Sequence, residues 1–286
     1  MGYLSPSEIA IAIVEVSKRK VSISFSSLWI LGILAGVYIG FGAHLFTIVT
    51  HDLNGYLGCG FAKFLGGSVF SVGLMLVVIA GAELFTGNCL LLTGVLTGDI
   101  KFREMLYNWV IVYVANFIGS MLLVIIVYHS GLWKTNDMKV GIAALSTAFS
   151  KVNLSFQEAF CRGIACNWLV CLAVVLAMAG KDTISKIFGI FFPIMAFVAS
   201  GFEHSVANMY FIPAGLFLKN DLMLTSFSGL GEKLGYLTWN SFIMKNLIPV
   251  TLGNIVGGAI FVGAAYYFAY LKGKTTRLGS GDFISR

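Results

Sequence analysis

Two short windows of this chain set residues able to do chemistry inside apolar surroundings. The first, Ala80-Gly-Ala-Glu-Leu-Phe-Thr-Gly-Asn88, places Glu83, Thr86 and Asn88 among glycines in a hydrophobic run. The second, Ala199-Ser-Gly-Phe-Glu-His-Ser-Val-Ala-Asn208, does the same with Glu203, His204 and Asn208, and in each window an Asn follows a Glu by five positions. Lipid tolerates a polar break only where protein or a cavity shields it. Glycine permits non-helical torsions, and Thr86 can bond backbone groups that a broken helix leaves free. Each window therefore reads as a discontinuous membrane helix, and two matching breaks read as a duplicated site.

His204 is the only one of the four histidines that lies mid-span at a break. With Glu203 beside it and Thr86 across from it, it reads as a hydrogen-bonded proton donor in a dry place. A small anion crossing a low-dielectric constriction pays a large desolvation cost that its neutral acid avoids. The expected role of His204 is therefore to share a proton with, or hand one to, a passing weak-acid anion. Half-helix N-termini, expected at Asn88 and near His204, add partial positive charge to the same place. Glu83 and Glu203 would repel anions if they faced the path, so they are expected to support the breaks by accepting bonds from freed backbone donors. Lys151 reads either as a lure for anions at an outer mouth or as a solvated loop lysine. Asn116, Asn167 and Asn254 are polar residues within spans, suited to interhelical hydrogen bonds.

The elements that must position these groups follow from composition. The 286 residues are 58% apolar and 11% charged, with a mean hydropathy of +0.88, far more hydrophobic surface than a soluble core of this size hides. The expected fold is an all-α membrane protein of six transmembrane helices, since each crossing needs about 20 apolar residues. The spans are placed at roughly 26–49, 61–97, 109–128, 156–178, 187–218 and 248–271, with helices 2 and 5 broken. Ahead of them, residues 1–24 hold an amphipathic surface helix that starts at Ser5-Pro6-Ser7-Glu8 and ends at Lys18-Arg19-Lys20. Residues 25–271 form the channel-like body and 272–286 a polar, basic tail.

The body divides into repeats at about 25–130 and 155–271. Ser24-Phe25 with Gly32-Ile33 recurs as Ser155-Phe156 with Gly163-Ile164, and Asn108, Asn116 and Gly119 recur as Asn246, Asn254 and Gly257. Three spans per repeat is an odd number, so the second repeat inserts upside down and the two breaks face each other near the midplane. Placing both termini in the cytoplasm puts the larger share of Lys and Arg inside, which locates the chain in the inner (plasma) membrane. The net charge of +6 is spread over loops and ends, so no nucleic-acid partner is expected. Five cysteines, without a Cys-x-x-Cys pair, read as small core residues, and neither metal nor cofactor is expected.

Ala82-Glu83-Leu84-Phe85-Thr86, Ser200 to Met209 and Ile248-Pro249-Val250-Thr251-Leu252-Gly253-Asn254 together resemble the formate/nitrite transporters, and the resemblance covers nearly the whole chain. It implies a homopentamer in the lipid bilayer, each protomer aquaporin-like and conducting small inorganic or one-carbon anions. It implies Thr86 and His204 as the central pair, and Leu84, Phe85 and Thr86 as a loop beside it. It also implies Leu74 with Phe197 as an inner constriction, Phe85 with Val170 as an outer one, Lys151 as a vestibule lysine, and Asn167 and Asn254 as lining and loop support. Gly87-Asn88-Cys89 departs from the formate-channel pattern, and the sequence looks closest to the hydrosulfide branch. Hydrosulfide is therefore the expected permeant, with formate and nitrite beside it and either of these as the alternative main substrate. An aquaporin-like neutral-solute pore is the other alternative, although neither break holds Asn-Pro-Ala. An enzyme is not expected. There is no His-Glu-x-x-His, and Gly279-Ser-Gly-Asp282 has no partner aspartate in a span.

Overall fold

The computed structural model describes residues 3–273. The polar tail from residue 274 on, including Gly279-Ser-Gly-Asp282, lies outside them. Helix α1 (Pro6–Val21) opens on a capping box in which Ser5 and Glu8 satisfy each other's backbone donors, and it ends in Lys18, Arg19 and Lys20. One face is buried through Ile9, Ala10, Ile13, Val14 and Ser17, so α1 lies against the body of the protein.

The body consists of α2 (Phe25–Thr50), α3 (Asn54–Gly81), α4 (Phe85–Thr97), α5 (Phe102–Ser130), α6 (Lys139–Val152), α7 (Phe156–Ala179), α8 (Thr183–Ala199), α9 (Ser205–Leu218) and α10 (Trp239–Leu271). Among the described residues five of these, α2, α3, α5, α7 and α10, are long and apolar enough to cross a membrane. The stretch expected as a fifth crossing is divided at 200–204 into α8 and α9, of 17 and 14 residues. Helices α5 and α10 begin seven and nine residues before the apolar runs expected at 109 and 248. Arg103 and Glu104 sit in the first turn of α5 and Lys245 in the second turn of α10, both ahead of the hydrophobic stretch.

Helix α6 replaces an expected polar loop. Its lysines disguise a regular apolar stripe, Val140, Gly141, Leu145, Ala148 and Val152, which packs beneath α9. Glycine allows two close helix crossings: a Cβ at Gly119 would collide with the carbonyl of Ile33 on α2, and one at Gly257 with that of Ile164 on α7. On the outside, Val110, Val114, Leu122 and Ile126 of α5 are exposed, as a surface meeting lipid or another protomer requires.

Candidate functional site

Both breaks have the same local cause. Helix α3 widens into a π-turn before Gly81, whose φ is +91°, and Ala82 N–H reaches back five residues to Val77 O at 2.9 Å. Helix α8 ends before Gly201, whose φ is +76°, and Phe202 N–H reaches back five residues to Phe197 O at 3.1 Å. A side chain at either position would strain that left-handed turn. Extended backbone follows, and helices restart at Phe85 and Ser205, so the first half-helix begins three residues before the expected Asn88.

Asparagines from other helices hold each extended segment. Asn116 Oδ1 accepts from Phe85 N–H at 3.0 Å, and its amide donates to the carbonyls of Gly32 and Glu83 at 2.8 and 2.9 Å. Asn254 repeats the arrangement with Ser205 N–H at 2.9 Å and the carbonyls of Gly163 and Glu203 at 2.8 and 3.0 Å. Asn167, expected as polar lining, donates its amide to Thr86 O at 3.1 Å and Asn254 O at 2.7 Å, joining the first half-helix to the asparagine that holds the second extended segment.

The glutamates do not accept from freed backbone donors, because Asn116 and Asn254 meet Phe85 and Ser205, and carbonyls of α2 and α7 meet the glutamates' own N–H groups. Their carboxylates meet cations and amides. Lys20 Nζ bonds both oxygens of Glu83 at 2.7 Å, while Asn88 donates to Glu83 at 2.8 Å and to Asn108 at 2.7 Å. On the other loop Lys151 Nζ meets Glu203 at 2.8 Å, and Asn208 donates to Glu203 at 2.6 Å and to Asn246 at 2.7 Å. Lys151 is thus an ion-paired lysine at the end of α6. Lys20 was not singled out from sequence, yet it stands four residues before Ser24 as Lys151 stands four before Ser155. Among the described residues Asn88 Oδ1, Asn208 Oδ1 and Ser205 Oγ are buried without a hydrogen-bond partner.

At the centre the match ends. Thr86 Oγ1 and His204 Nε2 lie 2.9 Å apart, both buried. Ala207 N–H donates to His204 Nδ1 at 3.0 Å, which fixes the proton of the neutral ring on Nε2. Nε2–H then donates to Thr86, and the hydroxyl hydrogen of Thr86 is free to donate elsewhere. The Phe197 ring stacks on His204 with centroids 6.0 Å apart. From the α1 side a cavity of about 350 Å³ reaches inward, lined by Lys20, Leu74, Glu83, Leu84, Asn88 and Lys186. Leu74 and Leu84 of its lining are buried, as are Val170 and Phe197. The Phe85 ring packs edge-on to Trp109 and Tyr113 and lines a groove between α5 and α10.

The family model of the formate/nitrite transporters matches residues 7–268. A probable formate transporter of Methanothermobacter thermautotrophicus is 43% identical over 289 residues, covering 95% of this chain and 98% of its own length. The formate channel FocA of Escherichia coli K12 is 40% identical over 245 residues, covering 85% of this chain and 86% of its own. A solved pentameric formate channel with formate bound superposes with a TM-score of 0.77 at 37% identity, covering 86% of this chain and 98% of the other.

Proposed function

The chain belongs to the formate/nitrite transporter family, and on that footing we propose that it conducts formate and related small weak-acid anions past Thr86 and His204. It is a membrane-embedded transport protein and not an enzyme. On our reading it crosses the bilayer six times as two inverted three-helix repeats, with both termini in the cytoplasm. It assembles as a homopentamer, like the solved formate channel it resembles. Formate takes the leading place ahead of hydrosulfide because the relatives above are named for formate.

One observation carries the mechanism: the bond between Thr86 and His204, with Nδ1 of His204 already taken by Ala207. An anion entering from either side meets the free Thr86 hydroxyl as a donor, polarised by Nε2–H behind it. The N-termini of α4 and α9 add partial positive charge. Full transfer of the Nε2 proton would leave an imidazolate, so a shared proton fits this arrangement better than one handed over. A ring protonated on both nitrogens would lose the Ala207 cap. Lys20 and Lys151 draw anions into the two vestibules, and their carboxylate partners prevent them from holding an anion too tightly. Leu74, Leu84, Val170 and Phe197 strip water between the vestibules, while Phe85 buttresses the first loop.

Anion flux into liposomes of pure protein, with formate, hydrosulfide, nitrite and chloride compared at two pH values, tests this reading. Fast formate flux with slow chloride is expected. Faster hydrosulfide than formate would return hydrosulfide to first place. Osmotic water or glycerol permeation without anion flux would sink the anion reading.

A further inference from the structure

On the face opposite α1, outside the site described above, a cavity of about 440 Å³ opens between the end of α2, the first turns of α3 and the start of α6. Its charged lining is of one sign. Lys63 of α3 and Lys139 of α6 both line it, and no carboxylate does. Among the described residues neither ammonium has an ionic or hydrogen-bonding partner. This sets them apart from Lys151, paired with Glu203, and Lys219, which donates to Leu237 O at 2.7 Å. His51 completes the basic rim but is already engaged: its ring bonds Ile48 O at 2.7 Å and Asn136 at 2.8 Å, and Asn136 also holds the nearby Asp52 at 3.2 Å. Ser146 and Thr147 add hydroxyls to the lining.

The cavity is one ring away from the vestibule lysine. Phe46 in its wall packs edge-on against Phe211 with centroids 5.7 Å apart, and Lys151 Nζ lies 5.3 Å from the centre of that same Phe211 ring. Lys139 and Lys151 lie on one helix, about 18 Å apart along its axis at 1.5 Å per residue.

We propose that this cavity is a capture site for the small monovalent anion. There the anion is held, still partly hydrated, between Lys63 and Lys139 before it passes to Lys151. The identity of the anion rests on the transport reading above. Two unneutralised ammonium groups in a recess raise local anion concentration, an effect that salt screens over a Debye length of about 8 Å at 0.15 M.

Cys59 lines the same cavity with an exposed free thiol, so it reports on what the cavity attracts. The test uses the full-length protein in liposomes with Cys161→Ser, which removes the other exposed thiol. The rate of Cys59 modification is compared for a negatively charged methanethiosulfonate and a positively charged one. A preference of roughly tenfold for the anionic reagent is expected, collapsing in Lys63→Gln/Lys139→Gln and in 1 M salt. Formate should slow the modification saturably, more than gluconate does at matched ionic strength. Equal rates for the two reagents, a preference that survives loss of both lysines, an unreactive Cys59, or formate acting no better than gluconate would each overturn the site. Formate protection of Cys59 without formate flux would keep the capture site and overturn the transport reading. Flux without charge preference would do the reverse.

Discussion

The Thr86 hydroxyl is the only member of the central pair with a hydrogen free for a passing anion, which gives the two side chains different expected phenotypes. Thr86→Val keeps the volume and removes that donor. Flux should fall by roughly tenfold to a hundredfold, the range expected for a lost hydrogen bond to a charged group. Thr86→Ser should restore much of it, and a fully active Thr86→Val variant in a liposome flux assay would remove the hydroxyl from the mechanism. The ion pairs give a second prediction. Side-chain exposure of Glu203 is 6% and of Lys151 15%, so Lys151→Met should lower the thermal midpoint of the purified protein by leaving a buried carboxylate uncompensated, at a cost of about 3–5 kcal/mol. Lys151→Met/Glu203→Gln should recover part of that loss, and a double variant as unstable as the single one would contradict it. The sequence pointed to Thr86 and His204 as facing residues because each break announces itself locally. It did not reveal that Lys20 meets Glu83, since nothing local joins residues 63 positions apart. The clue was the spacing, in which Lys20 and Lys151 precede Ser24 and Ser155 by the same four residues.

At the scale of elements, hydropathy located the long helices but misjudged their ends. A charged residue in a first turn is invisible to an apolar count yet fully compatible with a helix, as Arg103 and Glu104 show in α5. It also missed α6, where stability comes from one buried stripe and three of the exposed positions are Lys139, Ser150 and Asn153 at or just past the ends. The close crossings at Gly119 and Gly257 lead to a packing prediction. Gly119→Val should shift the helix pair α2/α5 and cost about 1–3 kcal/mol or more, read as a lower yield of folded protein, because the blocking atom is a backbone carbonyl that cannot rotate away. An undiminished yield and thermal midpoint would show that the helices can separate without penalty. The start of α1 carries a pH dependence. Hydrogen bonds from Ser5 hold the Glu8 carboxyl below its usual range. A lowered carboxyl value means that the cap stabilises the folded helix at pH above the ordinary value and loses that contribution as pH falls through the lowered one. Amide exchange at the first turn of α1 should therefore speed up in acid, beyond the intrinsic pH effect, in the wild type but not in Glu8→Gln.

Across the whole molecule, the account rests on two vestibules meeting at one dry pair. On the proposed route the α1-side cavity leads to Leu74 and Leu84 and the opposite approach passes Lys151, while matched asparagines brace both extended segments beside Thr86 and His204, which lie 2.9 Å apart. Composition alone made the membrane setting and the helical class legible, and two glycine-bearing interruptions made the points where the helices are interrupted legible. The choice among anions was not, because it depends on angstrom-scale packing of Leu74, Leu84, Val170 and Phe197, which residue types do not encode. The most direct measurement of the central claim is formate flux into liposomes for wild type and His204→Asn, each at a neutral and an acidic pH. The account predicts that wild-type flux depends on pH and that the variant, folded and inserted to the same extent, loses flux or loses that dependence. Full flux with an unchanged pH response in His204→Asn would contradict it.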